Sequence, residues 1–74
     1  MNKLTIALII AQNGLRSSAT MLSANAAKQE AQAAAATDKA EQARLKKKAA
    51  KSRKLAQVLT AADAGITSYL SEPD

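Results

Sequence analysis

Residues 15–64 read LRSSATMLSANAAKQEAQAAAATDKAEQARLKKKAAKSRKLAQVLTAADA, fifty residues that contain neither glycine nor proline. Alanine, lysine, glutamine, glutamate, leucine and arginine dominate this stretch, and these residue types have high helix propensities. The β-branched residues within it are few and never alternate with polar residues, as they would in a strand. The stretch therefore predicts an all-α fold built around one long helix.

Two glycines flank this stretch and mark its predicted ends. Gly14 and Gly65 each lie where the first residue past a helix end would fall, and each is followed by an apolar residue. This pattern predicts a short helix near residues 3–12 and a turn at Asn13 and Gly14. The predicted organisation is an apolar N-terminal helix and turn (1–14), a long Ala-rich and then basic helix (15–64) and a C-terminal tail (65–74).

A break in the long helix near Asp38 is the alternative. Asp38 and Glu41 have the spacing of a capping box, with an acceptor at the N-cap and a glutamate at the third helical position. Thr37, just before them, has low helix propensity. Because no glycine or proline enforces a stop, the preferred prediction is a continuous helix with Glu41 beside Arg44 on a solvated face.

The residue inventory bounds the chemistry of the chain. It has no Cys and no His, so it lacks disulfides, thiolate sites, the commonest metal ligand and the commonest general base. The six carboxylates are scattered without a spacing typical of paired acid and base groups, and no glycine-rich phosphate loop occurs. We therefore expect a non-enzymatic protein without a cofactor or a metal ion.

The chain is short of bulky apolar side chains. More than half of its apolar residues are alanine, Phe and Trp are absent, and Tyr69 is the only aromatic residue. Chains of this size bury only roughly 60% of their unfolded surface. At about 25 cal/mol per Å² of apolar surface, an alanine methyl contributes little. We therefore expect the helices to complete their packing against copies of the chain or against a larger assembly.

Two apolar segments are the candidate interface. The N-terminal segment, from Leu4 to Ala11, would be roughly 12 Å long as a helix, too short to span about 30 Å of bilayer hydrocarbon. The C-terminal segment, from Leu55 to Leu70, keeps helical spacing up to Gly65 and includes Tyr69 as an anchor. Together with Leu45, which lies outside both segments, the candidate interface residues are Leu4, Ile6, Leu8, Ile9, Ile10, Leu55, Val58, Leu59, Ile66, Tyr69 and Leu70.

The N-terminal segment has two alternative interpretations. It could contact a membrane surface as an amphipathic helix. It could also be the apolar part of a signal peptide, with Lys3 before it and a cleavage site at Ala24, Asn25 and Ala26, which would place the protein in the bacterial envelope or periplasm. The polar stretch between this segment and the candidate cleavage site is longer than in an ordinary signal peptide.

A group of basic residues, here called the basic cluster, lies between residues 44 and 54 without an intervening acid. Its members are Arg44, Lys46, Lys47, Lys48, Lys51, Arg53 and Lys54. On a helical wheel they surround a narrow stripe at a/d-like spacing: Leu45, Ala49, Ser52, Ala56 and Leu59. The cluster is a candidate for contact with nucleic-acid phosphate or anionic lipid. No aromatic side chain is interleaved, so contact would be directed to the backbone without sequence preference. The alternative is a solvated surface or ion pairs with an acidic neighbour.

Three stretches occur in a characteristic order: SANAAKQEAQ (23–32), ARLKKK (43–48) and LTAADAGI (59–66). An Ala/Gln/Asn-rich helix, a basic helix and an Ala-rich turn with glycine follow one another in this way. Residues 18–70 thereby resemble the internal virion, or ejection, proteins of short-tailed bacteriophages. That family favours arginine over lysine in the basic helix and often has serine where Ala64 stands. The resemblance implies a virion component in many symmetric copies near the portal or tail, with contact to the genome or host envelope.

The leading hypothesis is therefore a structural assembly protein, a bacteriophage virion component that forms homo-oligomers or packs with other virion proteins. Its location would be the virion, and the host cytoplasm during assembly. One alternative is a nucleic-acid-binding module that neutralises DNA phosphate through the basic cluster. The other is an exported or membrane-surface helical protein that does not span the bilayer by itself.

Overall fold

The computed structural model of the chain describes residues 2–73, and these form a hairpin of two long helices. Helix α1 spans Lys3–Ala35 and helix α2 spans Lys39–Ser71, with residues 36–38 between them. Contacts between residues 51 and 55 positions apart near one end, and 23 apart near the other, show that the helices are antiparallel. The hairpin measures 57 × 15 × 11 Å. The predicted all-α fold is confirmed.

The connection between the helices forms at the position of the alternative break. Ala36 has an extended backbone and ends α1, and its N–H donates to the carbonyls of Gln32 and Ala33. Asp38 is the N-cap of α2, and its carboxylate accepts from the Ala40 N–H at 3.2 Å. The preferred prediction of a continuous helix through Asp38 was therefore wrong. A capping side chain satisfies one helix-end donor, and with Thr37 beside it the chain can stop and restart without glycine or proline.

The two glycines do not end helices. Gly14 lies within α1 together with Asn13, and Gly65 lies within α2, which continues to Ser71. No glycine has a positive φ within residues 2–73. The predicted turn at residues 13–14 and the non-helical tail from residue 65 were therefore wrong. A glycine inside a helix costs about 1 kcal/mol relative to alanine, which packing against the other helix can outweigh.

The helices meet along a regular strip of side chains, here called the seam. Seam residues recur alternately three and four positions apart, the pattern that places the a and d positions of a coiled coil at the interface. All of them are buried or partly buried. On α1 they are Thr5, Leu8, Gln12, Leu15, Ala19, Leu22, Ala26, Gln29 and Ala33. On α2 they are Gln42, Leu45, Ala49, Ser52, Ala56, Leu59, Asp63, Ile66 and Leu70.

The seam is narrow, and its seven leucine and isoleucine side chains are not its most deeply buried members. Its most deeply buried members are Ala26, Ala49 and Ala33, at 0%, 1% and 2% exposure. No large side chain within residues 2–73 is fully buried. Alanine lets two helices approach closely, but each alanine removes little apolar surface from water. The exposed surface is 5533 Å², whereas a compact monomer of this mass would expose roughly 4,300 Å².

Candidate interaction surfaces

Polar side chains from both helices meet toward the end of the hairpin that lies opposite the connection between the helices. Gln12 is only 7% exposed, and its side-chain amide donates to the Thr67 hydroxyl at 2.7 Å and to the Asp63 carbonyl at 3.3 Å. Arg16 donates to the Asp63 carboxylate at 3.0 Å. A polar residue at one a position of a coiled coil favours a single register. These contacts therefore align α1 with α2.

A second pair of charged side chains connects the helices nearer the loop. Arg53 donates from Nε to the Glu30 carboxylate at 2.9 Å and forms a second hydrogen bond through its Nη2. This bidentate hydrogen bonding lowers the pKa of Glu30 below its ordinary value. Both side chains are about half exposed, so the pair stabilises the hairpin only modestly. The pair nevertheless shows which residues of α1 and α2 lie side by side along the hairpin axis.

A third pair lies within α2. Arg44 binds Glu41 three residues earlier through two hydrogen bonds, and these lower the pKa of Glu41. The proximity of Glu41 and Arg44 is confirmed, although it occurs in the first turns of a new helix and not inside a continuous one. Two members of the basic cluster, Arg44 and Arg53, are thus occupied by carboxylates of the same chain.

The five lysines of the basic cluster remain exposed. They form no ion pair with any residue from 2 to 73. They are Lys46, Lys47, Lys48, Lys51 and Lys54. The Glu30–Arg53 contact also brings Lys28 of α1 to the level of this cluster. Lysine side chains so placed present their charge to solvent.

The hairpin divides into two halves of different character. The half next to the connection, here called the loop half, comprises residues 24–54. It carries nine basic and three acidic side chains, a net charge of +6. The remainder of the chain carries two basic and three acidic side chains, a net charge of −1. The described part of that remainder, residues 2–23 and 55–73, is called the open half.

All the large apolar side chains that are exposed within residues 2–73 lie in the open half. The most exposed is Met21, at 69%. The exposed residues are Leu4, Ile6, Ile10, Met21, Leu55, Val58 and Tyr69. Sequence reasoning missed Met21, because it and Leu22 form only a pair of large apolar residues among polar and small ones. The spacing of the seam residues Ala19 and Leu22 places Met21 outside the seam. This heptad position was the signal that could have identified Met21 as an exposed apolar residue.

The structure separates the predicted interface residues into two groups. Six are buried or partly buried where α1 and α2 meet, so the first partner of these residues is the chain itself: Leu8, Ile9, Leu45, Leu59, Ile66 and Leu70. The other six are exposed: Leu4, Ile6, Ile10, Leu55, Val58 and Tyr69. The stripe predicted around the basic cluster, from Leu45 to Leu59, lies in the seam.

Five exposed apolar residues share one long edge of the hairpin. By heptad position, Leu4 and Met21 of α1 lie on the same side of the seam as Leu55, Val58 and Tyr69 of α2. Leu4 and Tyr69 line one surface depression, and Met21 lines a shallow groove along α1. These five residues are here called the apolar edge. The pairs of Arg16 with Asp63 and of Glu30 with Arg53 lie along the opposite edge.

Two further observations concern the described residues. Neither helix carries an apolar stretch long enough to cross a membrane within residues 2–73. Over the same range, no three carboxylates come together as a group that could hold a metal ion.

A comparison of the chain with known protein families, with curated proteins and with solved structures found no significant match. The resemblance to internal virion proteins of short-tailed bacteriophages stays a prediction, which rests on the order and composition of the three stretches quoted above.

Proposed function

We propose that this chain is a non-catalytic assembly protein whose helical hairpins associate through the open half. The observation that carries the proposal is the segregation of apolar surface. Of the eighteen seam residues only seven are leucine or isoleucine, and an equal number of large apolar side chains of the open half is left exposed to solvent. Exposed apolar surface concentrated in one region is typical of a protein interface.

The exposed surface of the hairpin supports the same proposal. It exceeds the surface of a compact monomer of this mass by roughly 1,200 Å². A typical specific interface buries about 800 Å² on each partner. The hairpin therefore has enough surplus surface to form one ordinary interface and still remain well solvated.

The particular assembly that we propose is a bacteriophage virion, in which multiple copies pack near the portal or the tail. The resemblance over residues 18–70 supports this proposal. An elongated hairpin of 57 Å with one apolar edge also suits packing beside identical neighbours around a symmetry axis.

A second candidate function is binding to nucleic-acid phosphate without sequence preference. The observation that favours it is the net charge of +6 on the loop half, with five exposed lysines that form no ion pair to residues 2–73. Such a surface would neutralise phosphates and release counterions. The two functions are compatible, because they use opposite halves of the hairpin.

Sedimentation equilibrium of the full chain, from low micromolar to millimolar concentration, tests the assembly function. We expect an average mass that rises from 7.7 kDa toward a defined multiple of that value. Circular dichroism at each concentration should show helicity increasing together with mass, because association would stabilise the hairpin. A stable, fully helical monomer across the whole range would contradict the proposal.

A further inference from the structure

We propose that the partner covering the apolar edge is a second copy of this chain, and that the two copies overlap only through their open halves. In this arrangement the loop halves project from opposite ends of the dimer. The inference rests on the proposed self-association and specifies the surface and the orientation that it uses.

The two long edges of the hairpin differ in their chemistry. The apolar edge has side chains from both helices that are between 48% and 69% exposed. The opposite edge has one exposed aliphatic side chain, Ile6, and polar side chains that already bind each other, Arg16 with Asp63 and Glu30 with Arg53. Burial of that opposite edge would remove water from paired charges, which is costly. The apolar edge is therefore the surface where a second helical pair can pack.

The apolar character of the edge ends where the loop half begins. The corresponding positions of the loop half, flanking the seam on the same side, are Asn25 and Gln32 on α1 and Glu41 and Lys48 on α2. All four side chains are polar or charged, so an apolar partner surface gains nothing there. Two copies can bury apolar surface against apolar surface only over the open half.

Charge decides the relative direction of the two copies. Parallel packing would place two loop halves of net charge +6 side by side, at the 8–10 Å spacing of packed helices. That spacing is about one Debye length at physiological ionic strength, so the repulsion would be only partly screened. Antiparallel overlap of the open halves separates the loop halves by several Debye lengths and retains the apolar contact.

A two-fold symmetric pair satisfies both conditions. The same edge then serves both copies, as in most homodimers. The open half of α1, residues 3–23, has 21 residues and is roughly 32 Å long. Two hairpins of 57 Å that overlap over this length would form a rod of about 80 Å. Its two ends would both be basic, so the dimer could contact two separate polyanion segments.

Small-angle X-ray scattering of the unmodified full chain, at a concentration where sedimentation shows a dimer, tests the arrangement directly. We expect a maximum dimension of about 80 Å, from the overlap of the open halves. A dimer near 57 Å long would overturn this inference and leave the assembly function intact. A monomer at every concentration would overturn both.

A pair of matched variants tests the surface. Val58→Asp places a charge on the apolar edge, and we expect it to weaken dimerisation by at least about tenfold because a buried charge without a partner is unfavourable. The control is Ile6→Asp, an equivalent change at an exposed aliphatic residue on the other side of α1. It should alter the dimerisation constant by less than about twofold, within the range of surface substitutions.

Circular dichroism of both variants establishes that they fold. If Val58→Asp dimerises like the unmodified chain, or if Ile6→Asp weakens the dimer as strongly, the apolar edge is not the interface. If Val58→Asp is unfolded, the scattering dimension of the unmodified dimer still decides between the two arrangements.

Discussion

The side-chain amide of Gln12 donates to the hydroxyl of Thr67 at 2.7 Å, joining residues 55 positions apart in the chain. Gln12 occupies a seam position that a leucine could have filled, and a polar residue there costs stability but favours one register. A double-mutant cycle with Gln12→Leu and Thr67→Val should give a coupling energy of about 1 kcal/mol, the usual net contribution of a neutral hydrogen bond. Chemical denaturation of the four proteins measures it, and a coupling near zero would mean that the contact does not hold the register.

The two helical glycines provide a test of the helix boundaries. A Cβ built at Gly14 or Gly65 meets no atom within 4 Å beyond its neighbours in the helix. Gly14→Ala and Gly65→Ala should each stabilise the hairpin by about 0.5–1 kcal/mol, because glycine loses more backbone entropy in a helix than alanine. Thermal unfolding measured at one fixed protein concentration checks this. If either variant is less stable than the unmodified chain, the glycine at that position ends a helix in a left-handed conformation, which disfavours alanine. The predicted turn at residues 13–14 or the predicted helix end at residue 65 would then be correct.

The seam residue Gln29 has a buried polar atom without a hydrogen-bond partner among residues 2–73. This atom is the side-chain oxygen. Gln29→Met keeps an unbranched side chain of similar length and removes the unsatisfied acceptor. It should therefore stabilise the hairpin by about 1–3 kcal/mol. The matched control is Gln32→Met, an exposed position of α1, where the expected change is within about 0.5 kcal/mol. Equal effects at both positions would show that helix propensity, and not burial, is responsible.

The ion pair between Glu30 and Arg53 predicts a dependence of stability on pH. Hydrogen bonding from Arg53 lowers the pKa of Glu30 in the folded chain below its ordinary value of 4.5. The unfolded chain then binds more protons, so this stabilisation is complete above pH 4.5 and is lost as the pH falls through the lowered value. Glu30→Gln should lower the melting temperature at neutral pH, and the difference from the unmodified chain should shrink at pH 3.

The control for this measurement is Glu72→Gln, which removes an exposed carboxylate that forms no ion pair to residues 2–73. Its melting temperature should follow that of the unmodified chain from pH 7 to pH 3. If Glu30→Gln behaves in the same way as this control, the ion pair does not connect the helices in solution.

The lysines of the basic cluster predict binding to polyanions that is sensitive to salt. The logarithm of affinity for duplex DNA should fall linearly with the logarithm of salt concentration. Each Lys→Gln change at Lys46, Lys47, Lys48 or Lys51 should make this salt dependence less steep, lowering the magnitude of the slope by about 0.9. Lys3→Gln in the open half is the control and should leave it unchanged. Fluorescence anisotropy over a salt series measures these slopes, and retention of full affinity by the fourfold variant would exclude the DNA function.

The amino-acid sequence determined the helical class, because the absence of glycine and proline over fifty residues and the high helix propensities act locally and add along the chain. It also contained the signals for two finer features. The spacing of Asp38 and Glu41 indicated, as the alternative to a continuous helix, the position where the chain does turn. The stripe from Leu45 to Leu59 was recognisable as a packing face. The seven basic residues between residues 44 and 54 could be counted directly, since this count needs no coordinates.

Only the tertiary structure decided where the chain turns back and which apolar residues remain exposed. The penalties at Gly14 and Gly65 are about 1 kcal/mol each, small enough for contacts between two 33-residue helices to override them. Whether Leu8 or Leu4 faces the partner helix depends on a register set by long-range contacts such as that of Gln12 with Thr67. Local propensity contains no information about such a register, because it is a relation between residues that are distant in the chain.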